Sequence, residues 1–281
     1  RNQYCKYLRK KTMFDRIVVS TDENPMFLQF VPIVSTAWKK YFPEKKLSIA
    51  FISDRGYDDN LVNKMKNYGD VRIFNPVAGI PTANQAKIGR HILASEYKEE
   101  VCMIEDMDTI PLQRDFFSNR TSGYDSGIIV VGSEVYNNTP HEGKFPMSTM
   151  TATGNLFGEI VNPNNLKYED VIKSFIGIRE FDHKEAIEIS PDIFSDESLM
   201  RVLLRRWNGE INKVNRDVNV HSDWIDRSWW NVDREKLHSG GYITCNFLRP
   251  FVDNFERIKP VADYIFGDDV DVDDVILNED R

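Results

Sequence analysis

The sequence predicts an α/β chain, with a mixed, mainly parallel sheet flanked by helices, on three observations. From Asp15 to Ile104 strand and helix signals alternate without interruption, an order that calls for parallel strands joined by helical crossovers. The strands end in polar residues, at Thr21-Asp22-Glu23-Asn24, Asp54-Arg55 and Asp106-Met107-Asp108; ligands of such sheets bind outside those carboxyl ends. The 281 residues are 41% hydrophobic and 28% charged, which suits one large domain or a domain with a sizeable extension.

Taken in order, Asp15 to Asp22 reads as a buried strand that runs into polar loop residues. Pro25 to Tyr41 reads as a helix with an apolar face of Phe27, Phe30, Val31, Val34 and Trp38 and a kink at Pro32. Leu47 to Asp54 is a second strand, and Asp58 to Tyr68 a helix stopped by Gly69. Val71 to Pro76 is a third strand. Thr82 to Tyr97 is a helix opened by a capping Thr82, and Val101 to Ile104 is the fourth strand. After residue 112 the rhythm changes. Gly127 to Val131 is a further strand, and Asn137 to Gly158, rich in Gly, Thr, Asn and Pro, reads as a long loop. Ser195 caps an amphipathic helix that runs to about Trp207.

Asp106 and Asp108 stand one residue apart after an apolar run. Strand alternation would point both to one side, where two carboxylates can hold a hard divalent cation and leave sites open for phosphate oxygens. Asp-x-Asp recurs at Asp269-Val270-Asp271 and Asp271-Val272-Asp273, but only the first triplet sits at a strand end.

The net charge of −8 argues against a general nucleic-acid or acidic-membrane surface and leaves room for a local basic pocket. Cys5, Cys102 and Cys245 form neither a zinc pattern nor a disulfide framework, so a reducing, cytoplasmic setting is expected. No stretch has the length of a transmembrane helix. The chain does not begin with Met, which fits a processed form or one domain of a longer chain.

These motifs, in this order, resemble the nucleotide-sugar glycosyltransferases of the GT-A (Rossmann-like) fold, most closely the family-8 enzymes. The resemblance spans Ile17 to Phe251 and lies in motif order. Thr21-Asp22-Glu23-Asn24 matches the family's Asp-x-Asn nucleotide turn. Lys87 and Arg90 lie where the family carries a basic residue. Glu105-Asp106-Met107-Asp108-Thr109 matches its Asp-x-Asp segment. Tyr124-Asp125-Ser126-Gly127-Ile128 resembles its Phe-Asn-Ser-Gly-Val segment, with Asp125 in place of Asn. Ser195-Asp196-Glu197 lies at its acidic helix start. His238-Ser239-Gly240-Gly241 resembles its His-x-x-Gly element, and Arg249-Pro250-Phe251 echoes its Lys-Pro-Trp several residues later.

The resemblance implies a metal-dependent transfer of a sugar from a nucleoside-diphosphate donor to a hydroxyl of a glycan or other acceptor, with no nucleic-acid partner. It assigns the metal to Asp106, Asp108 and His238, and the imidazole favours Mn²⁺ over Mg²⁺. It assigns the donor to Thr21, Asp22, Asn24, Asp54, Lys87, Arg90, Asp106, Met107 and Gly241. Asp196 and Glu197 become a base or sugar-positioning pair, and Asp125, Gly154 and Asn155 face the sugar or acceptor. The expected organisation is an N-terminal arm (1–14), one domain (15–266) and an acidic tail or linker (267–281). The domain divides into a nucleotide-binding half (15–112) and an acceptor-side half (113–266), the C-terminal extension.

Plainer roles compete with these. Asp22 and Asn24 suit a helix cap, Asp196 and Glu197 a helix's first turn, and His221 competes with His238 as a ligand. Trp224, Trp229 and Trp230 suit packing as well as sugar stacking. Asp106-Met107-Asp108-Thr109 also fits the nucleophile motif of haloacid-dehalogenase-like phosphatases. In that reading Ile128 to Ser133 is the second motif, and Gly267-Asp268 with Asp273 the acidic fourth. A non-catalytic sugar-binding module is the third reading.

Overall fold

Seven consecutive buried residues, Arg16–Asp22, form β1, the centre of the fold. Their side chains alternate between two cores: Ile17 and Val19 join one cluster and Val18 the other, as a parallel strand covered on both faces requires. The computed structural model describes residues 14–124, 126–139, 142–181, 186–188, 196–267 and 269–277.

The first half follows the expected alternation. After β1 come α1 (Pro25–Leu28), α2 (Val31–Tyr41), β2 (Lys46–Ile52), α3 (Asn60–Met65), β3 (Asp70–Phe74), α4 (Thr82–Glu96) and β4 (Val101–Ile104). Two details differ from expectation. The Pro25–Tyr41 segment is two helices, parted at Gln29 and Phe30, because Pro32 occupies the first turn of the second, where its missing N–H is not needed. Thr82 is the first helical residue and does not cap; its hydroxyl donates to Asp22 Oδ2 at 2.7 Å.

The second half holds β5 (Thr109–Pro111), α5 (Arg114–Arg120), β6 (Ile128–Val131), β7 (Met150–Thr153), α6 (Gly154–Val161), α7 (Tyr168–Phe175), β8 (Arg179–Phe181), β9 (Ala186–Glu188), α8 (Asp196–Trp207) and β10 (Ile211–Val214). It closes with α9 (Val220–Asp223), β11 (Trp224–Asp226), α10 (Arg234–His238), β12 (Thr244–Asn246), α11 (Phe255–Phe266) and α12 (Val272–Val275). The expected long loop at 137–158 therefore contains a strand and the start of a helix. Its four strand residues are too few to show an alternation of their own.

The main sheet has the order β10-β6-β7-β4-β1-β2-β3. All strands are parallel except β7, which runs against both β4 and β6. The mixed, mainly parallel sheet flanked by helices is thus what the sequence predicts. On one face, α2 and α11 supply Trp38, Ile258 and Val261; on the other, α4, α6 and α8 supply Ile92, Phe157 and Leu199. The amino edge of the sheet is tied by the Arg16 guanidinium, 2.6 Å from Glu100 and 2.7 Å from Asp70. The carboxyl edge is left open.

A second, three-stranded sheet has the order β11-β12-β5. The acidic C-terminal segment is not frayed as far as Leu277: Val275 and Leu277 are buried in the core, and Lys259 pairs with Asp263 and Asp269. The two Asp-x-Asp triplets there serve this local structure, Asp271 forming a capping box with Asp274.

Candidate functional site

The sheet's carboxyl edge builds the site around the turn after β4. The strand ends at Ile104, and Thr109 N donates to Asp106 O at 3.2 Å to close the turn. The two aspartates therefore escape strand alternation, and their carboxylates meet different cationic partners. Asp106 Oδ1 accepts from Arg90 Nη1, whereas Asp108 Oδ2 accepts from Arg227 Nη1 and lies 3.2 Å from Arg249 Nε.

Arg90 reaches the turn because α4 packs closely on the sheet. A Cβ at Gly89 would lie 3.2 Å from Ile52 Cδ1, so glycine there permits the approach. The buried guanidinium also donates to Glu105 O at 2.8 Å and to Asp196 Oδ2 at 3.0 Å. Burial disfavours its charge, but the Asp106 and Asp196 carboxylates outweigh that and raise its pKa. Burial likewise pushes the Asp196 carboxyl up, against the pull of Arg90.

The small sheet delivers the other two arginines. Asp226 pairs with Asn246, and Asn246 with Thr109, in the β11-β12-β5 register. The end of β11, the end of β12 and the start of β5 therefore meet beside Asp108. Thr109 Oγ1 bonds Asn246 Oδ1 at 3.0 Å, Asn246 Nδ2 donates to Asp226 Oδ2 at 2.9 Å, and Phe247 N donates to Asp108 O at 2.9 Å. Arg227 follows β11 directly, and Arg249 comes three residues after β12. Sequence reasoning missed Arg227, since three-residue strands carry no readable register.

These groups line a cavity with Asp22, Phe27, Lys87, Asp106, Met107 and Asp196. Asp22 and Ala83 also border a second hollow with Asn24, Ser53 and Asp54. The spaces are about 210 and 480 Å³. Small-molecule sites occupy roughly 300–1,000 Å³; the first space alone falls short of that range, and it shares Asp22 and Ala83 with the second. Asn24 caps α1 by accepting from Met26 N at 3.0 Å, and Asp22 accepts from Asn24 N at 3.2 Å. Lys87 and Asp54 are exposed, and Thr21 is buried against the cavity wall.

Other expected site residues lie elsewhere. His238 ends α10, exposed, with its ring edge-on to Tyr264 at 5.4 Å on the α11 side of the molecule. It does not join the aspartates, because the Asp233 cap makes the His-x-x-Gly segment a helix end. Gly241 closes that helix through a bond to Lys236 O and does not line the cavity. His221 lies against Trp229 with its ring tilted, at 4.7 Å between centroids. Gly154 and Asn155 are at the amino edge of the sheet, bonded to Glu100 O and Lys98 O, because β7 runs backwards. Of the acidic pair, only Asp196 lines the cavity; Glu197 accepts from Tyr136 OH. Asp125 lies outside the described residues.

The donor set therefore does not fit the Mn²⁺ or Mg²⁺ that the family resemblance implies. Among the described residues no group of three His, Cys, Asp or Glu side chains could hold a metal ion, and Asp108 already faces two guanidiniums. Nor do the phosphatase elements assemble. Between β4 and β6 lies β7, and Asp273 belongs to α12, beyond α11.

Gly154 has a structural duty instead. A Cβ there would sit 2.2 Å from Tyr97 O and 2.7 Å from Ala94 O, and neither backbone oxygen can swing away. Gly154→Ala is expected to cost about 1–3 kcal/mol of stability, measured by urea unfolding, without weakening ligand binding at the far edge.

Glu105 is fully buried, accepts from Thr149 Oγ1 at 2.5 Å, and has its carboxyl pushed up to about 8, chiefly by burial. In the folded chain it stays protonated where the unfolded chain ionises. Its contribution is complete below the ordinary value of 4.5 and is lost as pH rises to about 8. Glu105→Gln, which stays neutral, is expected to flatten the fall of the urea midpoint across that window.

The cavity at the strand ends is thus lined by carboxylates and cationic side chains together. No family model matches the sequence, and no curated protein does. Solved structures similar to it include the galactosyltransferase LgtC in complex with donor and acceptor sugar analogs, at 10% identity and a TM-score of 0.45 over 91% of this chain and 97% of that one. The PaToxG glycosyltransferase is similar at 14% identity and a TM-score of 0.39, over 69% and 70% of the two chains. TarS 1–349 of S. aureus in complex with UDP matches at 10% identity and a TM-score of 0.39, over 92% and 67%. Among the described residues, no helix is long and apolar enough to cross a membrane.

Proposed function

We propose that the chain is a glycosyltransferase that moves a sugar from a nucleoside diphosphate to an acceptor hydroxyl. The observation that carries this reading is the division of charge around the cavity. One guanidinium between two carboxylates (Arg90 with Asp106 and Asp196) leaves a negative side; one carboxylate between two guanidiniums (Asp108 with Arg227 and Arg249) leaves a positive side. A nucleotide sugar has the matching order, with phosphates in its middle and hydroxyls at one end.

The nucleoside belongs in the hollow beside Asp22 and Asp54, where the exposed Asp54 carboxylate suits ribose hydroxyls. The phosphates face Lys87, Arg227 and Arg249, whose charge-assisted hydrogen bonds favour them. The sugar hydroxyls donate to Asp106 and Asp196, whose orientation Arg90 holds. In the transfer, the bond from the anomeric carbon to the diphosphate oxygen breaks with its electron pair on that oxygen. The acceptor oxygen bonds to the carbon, and its proton passes to a base. The domain limits at 15 and 266 are refined in this reading to include the packed segment through Leu277.

The test is product analysis with nucleotide sugars and hydroxyl acceptors. The reading expects a glycosylated acceptor and one nucleoside diphosphate per transfer, with kcat about 100-fold lower in Asp196→Asn through loss of sugar positioning. Robust turnover of p-nitrophenyl phosphate, lost in Asp106→Asn, would replace transfer by phosphate ester hydrolysis.

A further inference from the structure

Asp108 is in the wrong company for a cation ligand. Its side chain is 4% exposed, and one oxygen, Oδ2, receives both Arg227 and Arg249. A divalent ion there would have to displace two guanidiniums from that oxygen and then sit beside their like charge. The two arginine side chains remain 35% and 30% exposed and line the cavity. Arg227 spends one N–H on Asp108, and Arg249 turns Nε toward it while its Cζ lies 4.9 Å from the centroid of the Phe27 ring. A guanidinium has five donors, so each keeps donors for a planar or tetrahedral oxyanion.

We propose that Asp108 is the anchor of an arginine pair and that Arg227 and Arg249 receive the donor's diphosphate directly, so that the nucleotide binds without a divalent cation. This rests on the nucleotide-sugar reading above. The β11-β12-β5 register makes the pair rigid: both arginines follow strand ends hydrogen-bonded beside Asp108, so little ordering remains to be done on binding. Asp108 is a positioning residue in this arrangement. It fixes two guanidiniums side by side that would otherwise repel, and the triad keeps one positive charge in excess for the phosphates.

The experiment is calorimetric titration of the purified chain with UDP, GDP and CDP, in EDTA and again with MnCl₂ in its place. The expected result is that a nucleotide binds with Kd values within about threefold of each other in the two buffers. Arg227→Ala, Arg249→Ala and Asp108→Asn are each expected to weaken that binding by about tenfold or more in EDTA. Arg227→Lys, which keeps the charge without the fork, should recover part of the loss and guards against a folding defect. Binding seen only with MnCl₂, and abolished there by Asp108→Asn, would overturn the arginine pair and leave the transferase reading intact. No binding of any nucleotide in either buffer would overturn both.

Discussion

Replacing Arg90 with Met is expected to remove about 3–5 kcal/mol of folding stability, because it takes the nearest cation from the largely buried Asp196 carboxylate and a donor from the Glu105 carbonyl. Arg90 is 3% exposed and serves three acceptors on two separate segments, Glu105 O and Asp106 in the turn after β4 and Asp196 at the start of α8. Met fills much of the volume but satisfies none of them. Asp196, already pushed up by burial, then protonates more readily, so the deficit should shrink in acid. Adding Asp196→Asn to Arg90→Met should restore part of the loss, since the second substitution removes one stranded carboxylate. Urea unfolding of the four proteins in this cycle measures it. A loss under about 1 kcal/mol would show that the network carries little.

Trp38→Ala is expected to cost a comparable amount, about 3–5 kcal/mol, by a different route. Trp38 is 1% exposed and packs on Phe42 at 5.5 Å and Phe117 at 5.2 Å between ring centroids. Its indole nitrogen has no hydrogen-bond partner among the described residues, so truncation leaves no orphaned polar atom and the whole cost is packing. Trp229 is the control. At 40% exposure it faces solvent, and Trp229→Ala should stay within about 0.5 kcal/mol of the parent. Equal effects at the two positions would contradict the assignment of the core.

The parallel half of the fold was legible because its strands are buried on both faces and therefore read as continuous apolar runs. β1 and β2 have that signature, and their polar ends locate the cavity without further help. The rest was hidden by length. β7 has four residues and β5, β11 and β12 three each, too short for any period, yet β7 sets which edge Gly154 and Asn155 occupy. The register of the three-residue strands alone brings Arg227 and Arg249 to Asp108. Asp106, Asp108, Lys87, Arg90 and Asp196 were readable as neighbours because each sits at a strand end or on a helix facing the open edge. His238 was misplaced for an identifiable reason. A histidine followed by glycines has the same pattern at a ligand site and at a helix end, and the Asp233 cap three residues before Lys236 decides between them.

The claim on which the whole account depends is that the Asp22–Asp106–Asp196 edge holds a nucleotide sugar. The direct measurement is thermal unfolding of the chain against a panel of nucleotide sugars, paired with chromatography for slow donor hydrolysis. The account predicts that at least one donor raises Tm and is cleaved to its nucleoside diphosphate, and that Asp106→Asn loses both effects while still folding. A panel in which no donor shifts Tm or is cleaved, with MnCl₂ or without it, would contradict it.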